Sequence, residues 1–177
     1  MNHQPCSSVS GIEIKSTGYV PGVIGRITEL HAIYYKKHWG FDLFFESKVA
    51  TELSDFLTRF DPVHDGFWLA TIGEEIVGGI AIDGNEAQTG GARLRWFIVA
   101  PEYQGRGVGQ RLLKEAIAFC RRAGICRAYL HSFAGLDAAR HVYEKFGFVL
   151  REEKQDRTWG KITTEQTFEL LLWSPTG

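Results

Sequence analysis

The sequence predicts a mixed α/β domain in which a central sheet of about six to seven strands carries helices on both faces. Three observations lead there: short apolar runs alternate with longer amphipathic stretches, one pair of runs brackets a hairpin turn, and another pair is joined through a helix. In chain order, Gly11 to Lys15 is a short first strand, and Gly18 to Gly25, broken by Pro21, is a loop. A helix is expected over Ile27 to His38. A second, over Asp42 to Phe60, sets Phe45, Val49, Leu53, Phe56 and Phe60 on one stripe, which must lie on a flat apolar partner. Phe67 to Ile72 and Ile76 to Asp83 supply that partner as a hairpin around Gly73-Glu74-Glu75. Arg93 to Val99 is the next strand, with side chains alternating between two faces. After Pro101 to Gly109, a helix from about Gly107 to Arg122 shows Val108, Leu112, Leu113, Ala116, Ile117 and Cys120 on one side. Arg127 to Ser132 is a strand. Because a helix links it to Arg93 to Val99, the two are expected to be parallel, through a right-handed crossover. Asp137 to Phe146 is the last helix, with Gly147 where a left-handed cap belongs. Phe148 to Arg151 and Thr167 to Leu172 close as two strands around a polar, charged loop.

A chain of 177 residues fits one domain, placed over residues 11–177, with residues 1–10, polar and rich in Ser, as a disordered tail. Apolar residues at 44% and charged residues at 23% exclude general disorder. Twenty Lys plus Arg against 21 Asp plus Glu leave a formal charge of -1, so no global field favours nucleic acid or anionic lipid, and any phosphate must be held locally. No apolar run suits a membrane span and Met1 to Ser10 lacks a signal-peptide pattern, which makes a cytoplasmic protein the expectation. Cys6, Cys120 and Cys126 are odd in number with no CxxC spacing, so neither a disulfide framework nor a zinc site is encoded.

Chemistry concentrates in Gln104-Gly105-Arg106-Gly107-Val108-Gly109, between a strand and an amphipathic helix. Glycines there let the backbone approach a ligand, and the first-turn amides and dipole of the helix make an anion site suited to a phosphate or pyrophosphate. Rossmann spacing fails at Gln110, and no Gly-Lys-Ser/Thr follows to make a P-loop. A dinucleotide dehydrogenase and an ATPase are both disfavoured.

Gln104, Gly107 and Gly109 instead match Gln/Arg-x-x-Gly-x-Gly/Ala, and Ala139 to Phe148 match Ala-x-x-x-Tyr-x-x-x-Gly-Phe. Together, in this order and on these elements, they resemble the two signatures of the GNAT superfamily of N-acetyltransferases, over about Gly11 to Leu172. The resemblance is closest to the acetyltransferase half of bacterial MarR-GNAT fusion proteins, through His31 to Tyr35, Gly40, Phe45-Glu46, Leu94-Arg95 and Trp159-Gly160. No MarR-type DNA-binding half is encoded in these residues. In the family, acetyl-CoA enters a splayed gap between the two parallel strands. That implies backbone contacts to the pantetheine arm from Phe97, Ile98 and Val99, and a pyrophosphate loop made by Gln104, Gly105, Arg106, Gly107, Val108 and Gly109. It also implies Tyr143 as the acid that protonates the departing thiolate, a phenol with a reference pKa near ~10 being a suitable donor. One departure stands out: many members carry Asn seven residues before this Tyr, where the chain has Leu136, with Asp137 one residue out of register.

The proton acceptor stays open among Glu29, Glu46, His31, His131 and a water chain, because Arg93 occupies the strand position where some relatives place a catalytic Glu. His31 and His38 lie seven apart, yet with no third ligand in view no metal is expected. Tyr34, Tyr35, Trp39, Phe41, Phe44 and Phe45 crowd the first helix junction, which roofs the acceptor site in the family, so Tyr35 and Glu46 are taken as acceptor contacts. Arg93 and Arg95 share a strand face that Phe97 is expected to continue, so they are assigned to an anionic group on the acceptor. The functional expectation is transfer of acetyl from acetyl-CoA to the amine of a small, amino-acid-like molecule by direct attack. Two alternatives stand beside it: a peptide or protein amine as acceptor, and an acyl-CoA-binding sensor with little catalysis. A homodimer is compatible with the family.

Overall fold

The computed structural model describes residues 11–172; the tail expected over residues 1–10, and Cys6 with it, lie outside the described residues. Strand β1 (Ile12–Ser16) precedes helices α1 (Val23–Trp39) and α2 (Leu43–Thr58). Strands β2 (Gly66–Ile72), β3 (Glu75–Asp83) and β4 (Ala92–Val99) follow, then α3 (Val108–Arg122), β5 (Arg127–Phe133), α4 (Asp137–Lys145), β6 (Val149–Asp156) and β7 (Thr163–Leu171). One seven-stranded sheet results, in the order β1-β2-β3-β4-β5-β7-β6, antiparallel except between β4 and β5.

Neighbouring glycines on β3 show how both faces are covered. A Cβ on Gly78 would meet Leu112 of α3, whereas one on Gly79 would meet Ile27 of α1. The predicted stripe of α2 lands on the α1 side, where the Phe56 ring lies edge-on to Phe67 at 6.3 Å. On the opposite side Trp68 meets Phe119 of α3 at 5.5 Å. Each layer thus buries one face of the sheet. Among the described residues no helix is long and apolar enough to cross a membrane.

Three boundaries differ from expectation. Helix α1 starts at Val23, because Gly22 caps it in the left-handed region at φ 86 and Gly25 fits in its first turn. Strands β6 and β7 run through much of the polar loop expected after Arg151. β6 is an edge strand with its residues largely exposed, so its ladder forms without the apolar alternation that marks a half-buried strand.

The third difference shapes the site. Ala81 pairs with Arg95 and Gly79 with Ile98, so β4 carries one residue more than β3 across this interval. That bulge is centred on Trp96, a non-glycine residue at φ 48. Its left-handed backbone costs about 1 kcal/mol, set against burial of the indole beside Phe56 at 5.2 Å. β4 and β5 pair only at Ala92 with Ala128 and Arg93 with Tyr129. Beyond Arg93 the two strands part.

Candidate active site

The gap between β4 and β5 holds two adjoining cavities. The larger, about 280 Å³, is lined by Phe97, Ile98, Val99, Gln104, Gly105, Gly107 and Gly109, with Leu136 and Val142 opposite. The smaller, about 90 Å³, is lined on one side by Arg93, Arg95 and Trp96 and on the other by His131 and Ser132, with His31 and Trp159 closing it. Tyr35, Phe97 and Tyr143 belong to both.

The larger cavity is built for an anion at one end. Gly105 and Gly107 turn the chain at φ 71 and 79, a conformation other residues adopt at a cost, and bring the first-turn amides of α3 to the rim. No acidic side chain stands in that first turn. Gln104 donates from Nε2 to the Val99 carbonyl at 2.9 Å, bracing the loop against β4. Lys145 reaches Gln110 at 3.0 Å, adding a cation beside the rim. These features fit a pyrophosphate, with an apolar channel leading from it toward Tyr143.

Most sequence-predicted positions gather here, with three exceptions. The Val108 side chain is buried in the core, leaving only its backbone for a ligand, and Arg106 points outward, 5.8 Å from the Tyr103 ring. Glu46 does not reach the gap. It lines a separate groove with Ile33, Lys36 and Lys37, so the structure brings it to neither cavity. Phe97 does not continue the face of Arg93 and Arg95. The extra residue at Trp96 turns it toward α3, where its ring meets the space above Gly109 and lies 5.9 Å from Tyr143.

Arg95 is committed to other groups. It is ion-paired with Glu52 of α2 and with Asp83 of β3 at 3.4 Å, and its guanidinium lies 4.1 Å above the Trp96 ring. Burial and the neighbouring Arg93 charge lower its pKa, against the pull of the two carboxylates. Arg93, by contrast, has a buried Nε with no hydrogen-bond partner while its side chain lines the smaller cavity. Of the two predicted arginines, it is the one with no carboxylate partner among the described residues.

Tyr143 comes from the last turn of α4 and is buried among Phe97, Phe148 and Phe168. Burial raises its phenol above the ordinary value, with the Tyr34 phenol adding to the effect, so it stays protonated at any working pH. His31 is buried, and burial pushes it down to about 4 despite its contact to the Ile27 carbonyl. With that carbonyl 2.8 Å from Nδ1, the proton belongs on Nδ1 and the ring is neutral. His131 lies across the cavity, its Nδ1 3.4 Å from Glu165 and 3.2 Å from the Thr167 hydroxyl. Glu29 is on the surface, paired with Arg26 at 2.7 Å, so it leaves the set of proton acceptors. His38 is exposed on α1, and no group of three possible metal ligands occurs among the described residues.

Sequence reasoning gave no site role to Trp96, Trp159 or Glu165. Trp159 packs on Phe45 at 5.5 Å and donates from Nε1 to Glu165 at 3.2 Å. Both residues sit in the stretch expected to be loop, where nothing periodic marked them.

Residues 26–148 match the model of the acetyltransferase (GNAT) family, and the chain belongs to that family. An uncharacterized N-acetyltransferase of Methanocaldococcus jannaschii is 27% identical over 129 residues, 70% of this chain and 55% of that protein. The chain spans about half the length of the curated relatives it matches. An acetyltransferase of Streptococcus agalactiae superposes with a TM-score of 0.73 at 21% identity, covering 92% of this chain and 99% of the other. The acetyltransferase yncA of Salmonella typhimurium, solved with its cofactor acetyl-CoA, superposes at 0.70 with 15% identity, covering 93% and 96%. These likenesses establish an α/β GNAT fold.

Proposed function

We propose that the protein is an acetyl-CoA-dependent N-acetyltransferase whose acceptor is the amine of a small, amino-acid-like molecule. The observation that carries this reading is the position of Tyr143, in the wall shared by a cavity suited to pyrophosphate and pantetheine and a second cavity of acceptor size. Acetyl-CoA bound in the larger cavity supplies an activated thioester. Gly105 to Gly109 would hold its pyrophosphate through backbone amides, and Phe97 to Val99 would face the pantetheine arm along the unpaired edge of β4. Tyr143 holds a proton on its phenol oxygen for the departing sulfur. Transfer is direct: the amine attacks with no covalent enzyme intermediate.

Two features support a small, anionic acceptor. The smaller cavity measures about 90 Å³, and Arg93 lines it with no carboxylate partner among the described residues. A carboxylate on the acceptor would supply the missing partner and orient the amine. Leu136 gives the larger cavity an apolar wall.

Thiol release from acetyl-CoA with a panel of amines tests the proposal. Turnover should be best with amino acids or similar anionic amines. A preference for polycationic amines or basic peptides refutes the acceptor class, and acetyl-CoA binding with no turnover on any amine leaves the sensor reading.

A further inference from the structure

We propose that Glu165 and His131 form a dyad that accepts the proton of the acceptor ammonium, with His131 as the base and Glu165 as its positioning residue. The inference rests on the acetyl-transfer reading and adds the group that reading lacks.

An amine acceptor is mostly protonated at neutral pH and has no lone pair to attack with, so a proton must first leave. The acceptor cavity holds two imidazoles. His31 has Nδ1 against a main-chain carbonyl and stacks on the Tyr35 ring, with no carboxylate among the groups acting on it. His131 has what His31 lacks. The Glu165 carboxylate is buried on β7, 3.4 Å from Nδ1, and Thr167 adds a hydroxyl at 3.2 Å. A carboxylate beside Nδ1 favours the tautomer protonated there and leaves the Nε2 lone pair for a substrate proton. Trp159 donates to the other carboxylate oxygen at 3.2 Å, so Glu165 is held in place from the lid of the same cavity.

The charges around His131 come from three strands, and a fourth adds a ring. Arg93 of β4 and Lys154 of β6 oppose its cation; Glu165 of β7 and Glu152 of β6 favour it; the Tyr129 ring of β5 lies edge-on at 5.7 Å. Burial and Arg93 together set the ring below its ordinary value in the absence of substrate. A carboxylate from the acceptor that neutralises Arg93 removes one of the two opposing charges, so the base strengthens when the correct substrate arrives.

The protons and bonds balance. An N–H bond of the ammonium breaks and an Nε2–H bond forms, moving the positive charge onto His131 beside Glu165. The freed lone pair forms the C–N bond as the C–S bond breaks, and the sulfur takes the phenol proton of Tyr143. The second proton on nitrogen restores the phenol, and His131 releases its proton to solvent, one per turnover.

Imidazole NMR titration of the protein without ligand, comparing wild type with Glu165→Gln, tests the dyad without relying on turnover. Glu165→Gln preserves shape and should lower the His131 pKa by about one unit. The acidic limb of the kcat/KM profile should move down in parallel, with acetyl-CoA affinity unchanged. His131→Gln should reduce kcat/KM at pH 7 by about 10²-fold, and the deficit should shrink as the pH nears the amine's own pKa, where no base is needed. An active enzyme whose His131 titrates identically in both proteins, or whose His131→Gln variant keeps the wild-type profile, overturns the dyad alone. Wild-type protein that binds acetyl-CoA and acetylates no amine overturns the acetyl-transfer reading and the dyad with it.

Discussion

Replacing Arg95 and Arg93 separately by Ala should split stability from acceptor binding. The Arg95 side chain is 13% exposed and joins Glu52, 28% exposed, to Asp83, 11% exposed. Removing one member of a largely buried ion pair costs about 3–5 kcal/mol when the partner charge is stranded. Here the stranding is partial, because Asp83 keeps Arg59 at 2.7 Å and Glu52 keeps Lys48. The lost stacking on Trp96 adds roughly 1 kcal/mol. A net loss of about 2–3 kcal/mol follows, which for a domain of this size lowers Tm by about 4–12 °C. Arg93 is in no ion pair among the described residues, so Arg93→Ala should leave Tm within a few degrees. It should raise the KM of an amino-acid acceptor about tenfold or more, the scale of a lost charge-assisted hydrogen bond. Thermal unfolding and steady-state kinetics on both variants check this. The reasoning is wrong if Arg95→Ala melts like wild type while raising the acceptor KM, or if Arg93→Ala leaves that KM unchanged.

Tyr143→Phe should lower kcat by about 10²-fold with little change in acetyl-CoA affinity, because the proton is needed only as the sulfur departs; single-turnover kinetics and calorimetry separate the two. Gly107→Glu should fold, at a cost of about 1 kcal/mol for its left-handed backbone, since a Cβ there meets nothing within 4 Å. It should abolish the rise in Tm that acetyl-CoA gives the wild type, by placing a like charge at the pyrophosphate. Stability should fall with acidification before the carboxylates titrate. His31 has its folded pKa pushed down to about 4 by burial, so the unfolded chain binds the extra proton from about pH 6.5 downward. The stability of neutral His31 is present above that pH and is lost toward pH 4, by about 3 kcal/mol. Urea titrations over this range should show a flatter dependence in His31→Gln.

The periodic elements were legible in the sequence because burial imposes their pattern. The stripe of α2, the hairpin of β2 and β3, and the apolar face of α3 each carry it, and each forms. The two glycine motifs marked the larger cavity for the same kind of reason: a left-handed turn leaves a residue signature. The smaller cavity had none. Trp159 and Glu165 come from a turn and an edge-proximal strand whose neighbours are charged, and what unites them with His131 is β5 pairing with β7, a contact between segments more than 30 residues apart. Arg93 and Arg95 looked equivalent because strand alternation is a local rule; which of them is neutralised depends on Glu52 and Asp83, from two other elements.

The bulge at Trp96 connects these observations. Without the extra residue, Phe97 and Val99 would follow Arg93 and Arg95 onto the α2 face, and α3 would lose the ring that now lies above Gly109. With it, Arg93 stays toward the smaller cavity while Phe97 faces Tyr143 and the glycine loop. The same irregularity lies where β4 leaves β5, so the strained backbone and the opening of the gap occupy one place. A left-handed tryptophan persists only where surrounding contacts hold it. Phe56 beneath the indole and Arg95 above it are those contacts, and the ion pairs of Arg95 extend them to α2 and β3. Arg95, which also lines the smaller cavity, thereby holds the bulge that gives Arg93, Phe97 and Tyr143 their separate places.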